Sequence, residues 1–319
     1  MTRSTFRVTL SCDNRCLFCA QRGLASADAP APASTLALLR QVSDELTFVG
    51  GEPTLSPALP ELVRQAKAAG FTRIGLQTNG RRLGQHGLAA TLAAAGLTDV
   101  HLSIHGAEPA LHDHHAGVAG ALDQALAALT ASRAEGLQTA VTTVVTRSNY
   151  RHLAALVPRL AGAQAWTLQA AQAFGAAADA FDRLVPRLAL SMPFVLHALD
   201  LAEKRGLVTF LAGVPACLVG PFASRLLPEP GRSFAPVCAR CPARAACPGV
   251  DPLYLRRYAG DELKPREPFT LEPGHEPLAR LFTGLGEVAP GTPPAHLARA
   301  TGTASASLTP LSISARPRR

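Results

Sequence analysis

Three cysteines near the start of the chain constrain its fold and chemistry most. Cys12, Cys16 and Cys19 follow a short apolar run, and their spacing is C-x3-C-x2-C. Three neighbouring thiolates suit an iron–sulfur cluster, because cysteine sulfur holds the irons of such clusters. A closed structural zinc site would need a fourth ligand nearby, and this loop supplies none. The alternative interpretation is a two-cysteine zinc knuckle with an unrelated third thiol.

A glycine-rich segment comes next. The apolar run Leu46–Val49 predicts a buried strand, and it ends in Gly50-Gly51-Glu52-Pro53-Thr54. Paired glycines allow a backbone to approach a ligand closely, and the neighbouring carboxylate can pair with an ammonium group. An ordinary Gly-Gly turn with a surface glutamate is the alternative.

Together these segments resemble the radical S-adenosylmethionine (radical SAM) enzymes, whose signature is C-x3-C-x-aromatic-C. Here the aromatic residue is Phe18, directly before Cys19. The resemblance implies a [4Fe–4S] cluster on the three cysteines, with one iron left open to bind SAM. It also implies that the methionine part of SAM lies against Gly50, Gly51, Glu52 and Pro53.

Length and composition agree with such an enzyme. The chain has 319 residues, 47% of them hydrophobic, which is enough for one large domain and a smaller one. The net charge of +8 is spread out and aromatics are only 5%, so a nucleic-acid substrate is disfavoured. The sequence shows neither a membrane span nor a signal peptide, so we expect a cytoplasmic protein whose seven cysteines bind metal.

Strand-like and helix-like segments alternate along the chain, which predicts an α/β fold with a parallel sheet. The resemblance specifies a partial (β/α)6 barrel. The predicted strands are Phe6–Leu10, Leu46–Val49, Arg73–Gln77, Asp99–Ile104, Gln138–Thr146 and Ala165–Gln169. The predicted helices cover residues 57–69, 84–95, 118–135 and 150–162.

Several polar residues fall at the carboxyl ends of these strands, where parallel sheets collect ligands. The resemblance implies SAM contacts for Thr78, Asn79, Ser103 and Asn149. A strand-to-helix turn explains Asn79 about as well, and a helix N-cap explains Asn149 nearly as well. The run from His112 to His115 is predicted to be a loop, either plain or facing the substrate.

The other four cysteines form a second set. Cys217, Cys238, Cys241 and Cys247 have the spacing C-x20-C-x2-C-x5-C. Four thiolates can hold either a complete [4Fe–4S] cluster or a structural zinc ion. The spacing resembles the SPASM and twitch extensions of radical SAM enzymes, which implies one auxiliary [4Fe–4S] cluster. Two auxiliary clusters are excluded, because Asp251 stands where a further cysteine would be needed and no cysteine follows.

These observations divide the chain into a radical SAM core of residues 1–210, a twitch-like domain of residues 211–268 and a poorly structured tail of residues 269–319. Residues 25–35, rich in alanine and proline, are expected to form a mobile loop over the site.

The implied activity is that of an oxidoreductase that cleaves SAM to a 5′-deoxyadenosyl radical and abstracts hydrogen from a substrate C–H bond. Peptide maturation is the first substrate class, and oxidation of a sugar or other small metabolite is the alternative. An iron–sulfur electron carrier and a zinc-binding module are the non-enzyme alternatives. An external donor such as flavodoxin or ferredoxin is implied. Because only five residues precede Phe6, we expect a maturase to use a partner protein or to bind a leader directly.

Overall fold

The computed structural model describes residues 3–22, 32–173, 175–227, 233–269 and 278. Within this part of the chain, seven strands form one parallel sheet in sequence order. They are β1 (Ser4–Thr9), β2 (Glu45–Gly50), β3 (Arg73–Thr78), β4 (Asp99–Ser103), β5 (Gln138–Val145), β6 (Ala165–Ala170) and β7 (Val208–Ala212). Because crossovers between parallel strands are right-handed, sequential order places the connecting helices on one face of the sheet.

Helices connect the strands and close the C-terminal region. They are α1 (Pro32–Arg40), α2 (Leu59–Ala68), α3 (Leu88–Ala95), α4 (Pro109–Ala116), α5 (Ala121–Ala134), α6 (Ala176–Asp179), α7 (Phe181–Leu184), α8 (Leu188–Glu203) and α9 (Pro252–Tyr258). Shorter 3-10 segments include Pro53–Leu55 and Tyr150–Leu160. The connection after β5 is 3-10 rather than α-helical and contains Pro158, which has no N–H to donate to a helical hydrogen bond.

The two faces of the sheet differ in chemistry. On the helix-covered face, alternate strand residues such as Phe48, Leu76, Leu102 and Leu168 pack with the helices in the main hydrophobic core. Strand residues alternate between faces, so their neighbours point the other way. We call that opposite side the inner face. Over β5 to β7 it carries a small apolar cluster of Ala140, Ala165, Phe210, Ala212 and Leu227, against which Leu278 packs.

The predicted α/β class is confirmed, and the six predicted strands match β1 to β6. The strand count was too low, because β7 extends the sheet and pairs with β6. Its signal was present in the sequence as an apolar run directly after Gly206. The predicted boundary at residue 210 therefore falls inside a strand.

Two predicted loops contain helices. His112 to His115 lie in α4, although they were predicted to form a loop. Residues 32–35 of the predicted mobile loop begin α1, while residues 25–31 lie outside the described part, as does the predicted tail apart from residues 269 and 278. Among the described residues, no helix has the length and apolar character that crossing a membrane requires.

Candidate active site

The three-cysteine loop leaves the carboxyl end of β1 and is bound there by the glycine segment after β2. Gly51 N–H donates to Thr9 O across 2.7 Å, and Glu52 N–H donates to Ser11 O across 2.8 Å. A Cβ atom on Gly51 would lie only 2.2 Å from Ser11 O, so only glycine fits this contact. The glycines let two backbone segments meet, and their predicted contact with a ligand stays a prediction.

Helix α4 holds the same loop from the other side. Arg15 N–H donates to Ala116 O across 2.8 Å, and Leu17 N–H donates to His115 O across 3.1 Å. These carbonyls belong to the last turn of α4, whose acceptors are left open by the end of the helix. Farther along, Cys19 O accepts a hydrogen bond from Ala176 N–H across 3.0 Å. The loop is therefore anchored at both ends by backbone bonds.

The three thiols are close enough to influence one another. Burial, followed by the charges of Cys12 and Cys19, raises the pKa of the Cys16 thiol to about 12. Burial is also the main reason why the pKa of Cys12 is raised. Thiols with raised pKa values stay protonated at neutral pH unless a cation stabilises the thiolate. Such a donor set fits a metal cluster, whose binding would release these protons.

Glu52 is fully buried, and its carboxylate is hydrogen-bonded inside the protein. Oε1 accepts from the Thr78 hydroxyl across 2.6 Å and from the Thr54 hydroxyl across 2.5 Å, while Oε2 accepts from Asn79 N–H across 2.7 Å. Burial raises the pKa of this carboxyl group although these hydrogen bonds oppose the shift. Glu52 thus ties the end of β2 to the end of β3. Its predicted pairing with an ammonium group stays a prediction.

Asn79 reaches from the end of β3 towards the cysteine loop. Its Nδ2 atom donates to Asp13 Oδ1 across 2.8 Å and lies 3.9 Å from the Cys12 sulfur. Arg81 forms an ion pair with the same aspartate across 3.1 Å and donates to Asp13 O. Sequence analysis did not identify Asp13 and Arg81. The sequence did contain a signal for this pair: Asp13 lies between two cysteines, and Arg81 lies just after the motif at the end of β3.

A cluster of histidines supports the aromatic residue of the cysteine motif. The Phe18 ring packs edge-on against His105, with ring centroids 4.7 Å apart. His112 Nδ1 accepts a hydrogen bond from His105 N–H across 3.0 Å, and the two imidazoles stack. The other end of the cluster is His115, whose Nε2 bonds with the hydroxyl groups of Thr146 and Ser148.

These histidines are buried and uncharged. Burial lowers the pKa of His112 to about 4 and also lowers the pKa values of His105 and His115. A neutral ring can act as a hydrogen-bond acceptor, which the contact from His105 N–H to His112 Nδ1 requires. These histidines connect β4, α4 and the end of β5, and Phe18 of the cysteine loop packs against them. The predicted substrate-facing role of residues 112–115 stays a prediction.

Two further predicted residues differ in what they contact. Ser103 lies on the inner face at the end of β4, is half-buried, and makes no side-chain hydrogen bond to any described residue. Asn149 is buried; its Nδ2 donates to His105 O and Val144 O, and its Oδ1 accepts from Thr146 N–H. Asn149 stands at the N-cap position, yet its side chain makes no capping bond. It holds the ends of β4 and β5 together.

The comparison with known families agrees with this arrangement. Residues 6–157, which contain the cysteine loop and β1 to β5, match the family described as the Radical SAM superfamily. This chain carries a radical SAM domain. The family implies a [4Fe–4S] cluster and S-adenosylmethionine, which the thiol set at the end of β1 fits.

Relatives of the radical SAM domain act in different reactions. The chain is 32% identical to a probable GTP 3′,8-cyclase of Sulfolobus acidocaldarius over 151 residues, which are 45% of this chain and 47% of that protein. It is 38% identical to a PqqA peptide cyclase of Xanthomonas campestris pv. campestris over 110 residues, which are 34% of this chain and 29% of that protein. The chain thus spans about half the length of these relatives, or less.

A solved structure shares the fold. The S-adenosylmethionine complex of Streptococcus suis SuiB aligns with a TM-score of 0.57 and 17% identity, covering 73% of this chain and 53% of SuiB. SuiB bound to its precursor peptide SuiA aligns with a TM-score of 0.54 and 17% identity, covering 66% of this chain and 48% of SuiB. At this identity the likeness concerns the fold alone.

Beyond the matched radical SAM domain, the second cysteine set surrounds one cavity. Cys217, Cys238, Cys241 and Cys247 all line one pocket, together with Arg244 and Arg266. Ala216 N–H and Gly249 N–H point at the Cys247 sulfur across 3.3 and 3.4 Å, and Arg266 N–H points at the Cys241 sulfur across 3.5 Å. Burial is the main cause of the raised pKa values of Cys217 and Cys238.

All seven cysteines are free thiols. In the ranges that the structure covers, no three His, Cys, Asp or Glu side chains converge to hold a single metal ion. An iron–sulfur cluster takes each thiolate on a different iron, so it does not require such convergence.

Proposed function

We propose that this chain is a radical SAM oxidoreductase that abstracts hydrogen from a substrate C–H bond. The observation that carries the proposal is the anchored loop of Cys12, Cys16 and Cys19 at the carboxyl edge of a parallel sheet. When bound, the cluster and SAM supply a 5′-deoxyadenosyl radical by one-electron cleavage, with methionine as the second product. The chemistry belongs to these groups, while the protein positions them and the substrate.

In this proposal the remaining residues of the first site divide into two roles. Asn79, which reaches the cysteine loop, and Ser103, on the inner face at the end of β4, would contact SAM. Glu52, Thr78 and Asn149 form hydrogen bonds between strand ends within the described chain and would position those ends. Residues 50–53 and Phe18 would shape the loop, Gly51 through its close backbone contact and Pro53 as the first residue of a 3-10 turn.

We assign an auxiliary [4Fe–4S] cluster to the second cysteine set, in a small domain of about residues 211–268. Four thiols around one cavity supply a complete donor set, and the backbone N–H groups aimed at the sulfurs of Cys241 and Cys247 would stabilise thiolates. The cluster would accept one electron from the substrate radical, which makes the net reaction an oxidation. A structural zinc ion is the alternative occupant.

We propose a peptide as the substrate class. Support comes from a relative named for peptide cyclisation and from the shared fold of SuiB, which was solved with a precursor peptide. Modification of a small metabolite is the second candidate, favoured by the relative named as a GTP cyclase. An external one-electron donor such as flavodoxin or ferredoxin would reduce the first cluster. Seven free thiols agree with a reducing cytoplasmic setting.

The decisive test is SAM cleavage without a substrate. Protein purified under argon and reduced with dithionite should slowly release 5′-deoxyadenosine and methionine from SAM in equal amounts. The Cys16→Ala variant should release neither, because it lacks one ligand of the first cluster. Wild-type protein with a reduced cluster that produces no 5′-deoxyadenosine would refute the enzyme proposal and favour an electron carrier.

A further inference from the structure

The inner face of the sheet carries polar side chains that lack partners. Gln77 on β3 and Gln169 on β6 each follow a leucine that packs in the main core, so both lie on the inner face. Both are half-buried, and neither amide makes a hydrogen bond to any residue that the structure describes. Amide groups held on a sheet face without internal partners are available to a ligand.

Thr167 adds an independent observation on the same face. It lies two residues before Gln169 and is only 2% exposed. Its hydroxyl oxygen is buried and has no hydrogen-bond partner among the described residues. By contrast, the hydroxyl of Thr142 on β5 bonds with His101 Nε2 across 2.5 Å. A buried hydroxyl without a partner is unfavourable, so a hydrogen bond from a bound ligand would stabilise it.

The same region of the inner face is uncharged. In the described chain, none of the inner-face residues in the carboxyl halves of β2 to β7 is Asp, Glu, Lys or Arg. His101 is neutral, because burial and then the charge of Arg3 lower its pKa to about 3. Charged residues on the inner face lie elsewhere. The buried Arg3–Asp99 ion pair lies towards the amino ends of the strands, and Arg7 lies on β1.

We propose that Thr167 and Gln169, with Gln77 on the same face, bind an uncharged amide-bearing segment of the substrate, such as a peptide backbone. This deepens the proposed function and rests on it. A glutamine side chain offers two donors and an acceptor, which match the acceptor and donor of a peptide group. A nucleoside triphosphate would instead require several cations, since phosphates are bound by Arg and Lys.

Equilibrium binding tests the proposal without relying on turnover. Anaerobic holoenzyme, saturated with SAM and unreduced, is dialysed against a pool of N-acetylated tripeptide amides and, separately, against GTP. We expect members of the pool to bind at least about tenfold more tightly than GTP. Thr167→Val, which is nearly isosteric, and Gln169→Leu should each weaken peptide binding about tenfold. Gln41→Leu, at an exposed position directly after α1, should bind as wild type does.

Three results would overturn the proposal. GTP could bind as tightly as the peptides, the Thr167 and Gln169 variants could bind peptides as wild type does, or they could lose affinity for SAM instead. The last result would assign these residues to the SAM site. SAM cleavage by the wild-type protein is measured in parallel. If cleavage occurs while peptide binding fails, this inference alone is wrong; if cleavage is absent, the proposed function fails as well.

Discussion

The Thr78 hydroxyl donates to the Glu52 carboxylate across 2.6 Å, and this bond joins the ends of β2 and β3 next to the cysteine loop. The same carboxylate also holds Asn79 N–H, and Asn79 in turn reaches Asp13 between the first two cysteines. A chain of hydrogen bonds therefore runs from a buried acid to the predicted cluster site. Because these hydrogen bonds are coupled, a substitution at Glu52 should alter the position of the cysteine loop.

Replacing Glu52 by glutamine tests that connection. The new amide nitrogen would face a donor, either Asn79 N–H or the Thr54 and Thr78 groups, so at least one buried bond is lost. We expect the free energy of unfolding to fall by about 1–3 kcal/mol. SAM should bind about tenfold more weakly. Denaturant unfolding and SAM titration of the anaerobic protein measure the two effects.

The two possible roles of Glu52 give different results. Thr78→Val removes one of the same internal bonds without touching the carboxylate. If Glu52 only positions the strand ends, both variants should weaken SAM binding to a similar degree; if Glu52 also pairs with the SAM ammonium group, Glu52→Gln should weaken it more. Glu61→Gln on the surface of α2 is the control and should change neither stability nor SAM affinity. Unaltered SAM affinity in Glu52→Gln would show that the residue serves neither role.

Iron content tests the division of the cysteines into three and four. Anaerobically purified protein should contain about eight irons per chain, as two [4Fe–4S] clusters. Replacing Cys12, Cys16 and Cys19 by alanine should leave about four irons on the second set. Iron, sulfide and zinc analyses provide the measurement. Stoichiometric zinc, with iron at the first site only, would contradict the auxiliary cluster and leave the radical SAM assignment intact.

His115 provides a test of how the first loop is held. Its ring bonds with Leu111 O, Thr146 and Ser148, and its own carbonyl accepts from Leu17 N–H. Removing the ring in His115→Ala should loosen the end of α4, so a ferrous chelator should extract iron from the first site several-fold faster. His115→Gln should restore part of the resistance. The neighbouring His114 is exposed, so His114→Ala should behave as wild type; equal rates in all variants would exclude the positioning role.

Sequence analysis predicted most of the sheet, because apolar runs such as Leu46–Val49 mark buried parallel strands. It also identified the cysteines, whose spacing is local. It failed where long-range contacts decide the role of a residue. The sequence did not show that Thr78 and Asn79, more than twenty positions away, surround the carboxylate of Glu52, whose predicted contact with a ligand stays a prediction. The segment with adjacent histidines was predicted to be a loop but is helix α4. His112 and His115 are buried in it because they contact residues distant in sequence or in other elements, such as His105 and Phe18.

His101 predicts a pH dependence of stability. Its pKa is lowered to about 3 in the folded protein by burial, whereas an unfolded chain binds the proton near pH 6.5. Below that pH the unfolded state binds a proton that the folded state does not bind, so the free energy of unfolding decreases as pH falls. Relative to His101→Gln, wild type should lose about 2 kcal/mol between pH 7 and pH 5. Denaturant unfolding of both proteins under argon measures the difference; a constant difference across this range would show that the ring has the same pKa in the folded and the unfolded protein.

The second cysteine set can be tested apart from SAM cleavage. Cys238 and Cys241 line the cavity beyond the radical SAM domain, and the sulfur of Cys241 accepts from Arg266 N–H rather than from any part of the first loop. Replacing both by alanine should therefore leave substrate-free release of 5′-deoxyadenosine within about twofold of wild type, because the first cluster keeps all its ligands. Conversion of a peptide substrate should be abolished, because the substrate radical has lost its electron acceptor. Mass spectrometry of the substrate and chromatography of 5′-deoxyadenosine measure the two activities in one reaction.

A double variant that still converts its substrate at the wild-type rate would show that the second site is structural. A variant that loses both activities would show that the two sites depend on each other for folding, and its iron content would then distinguish loss of one cluster from loss of both.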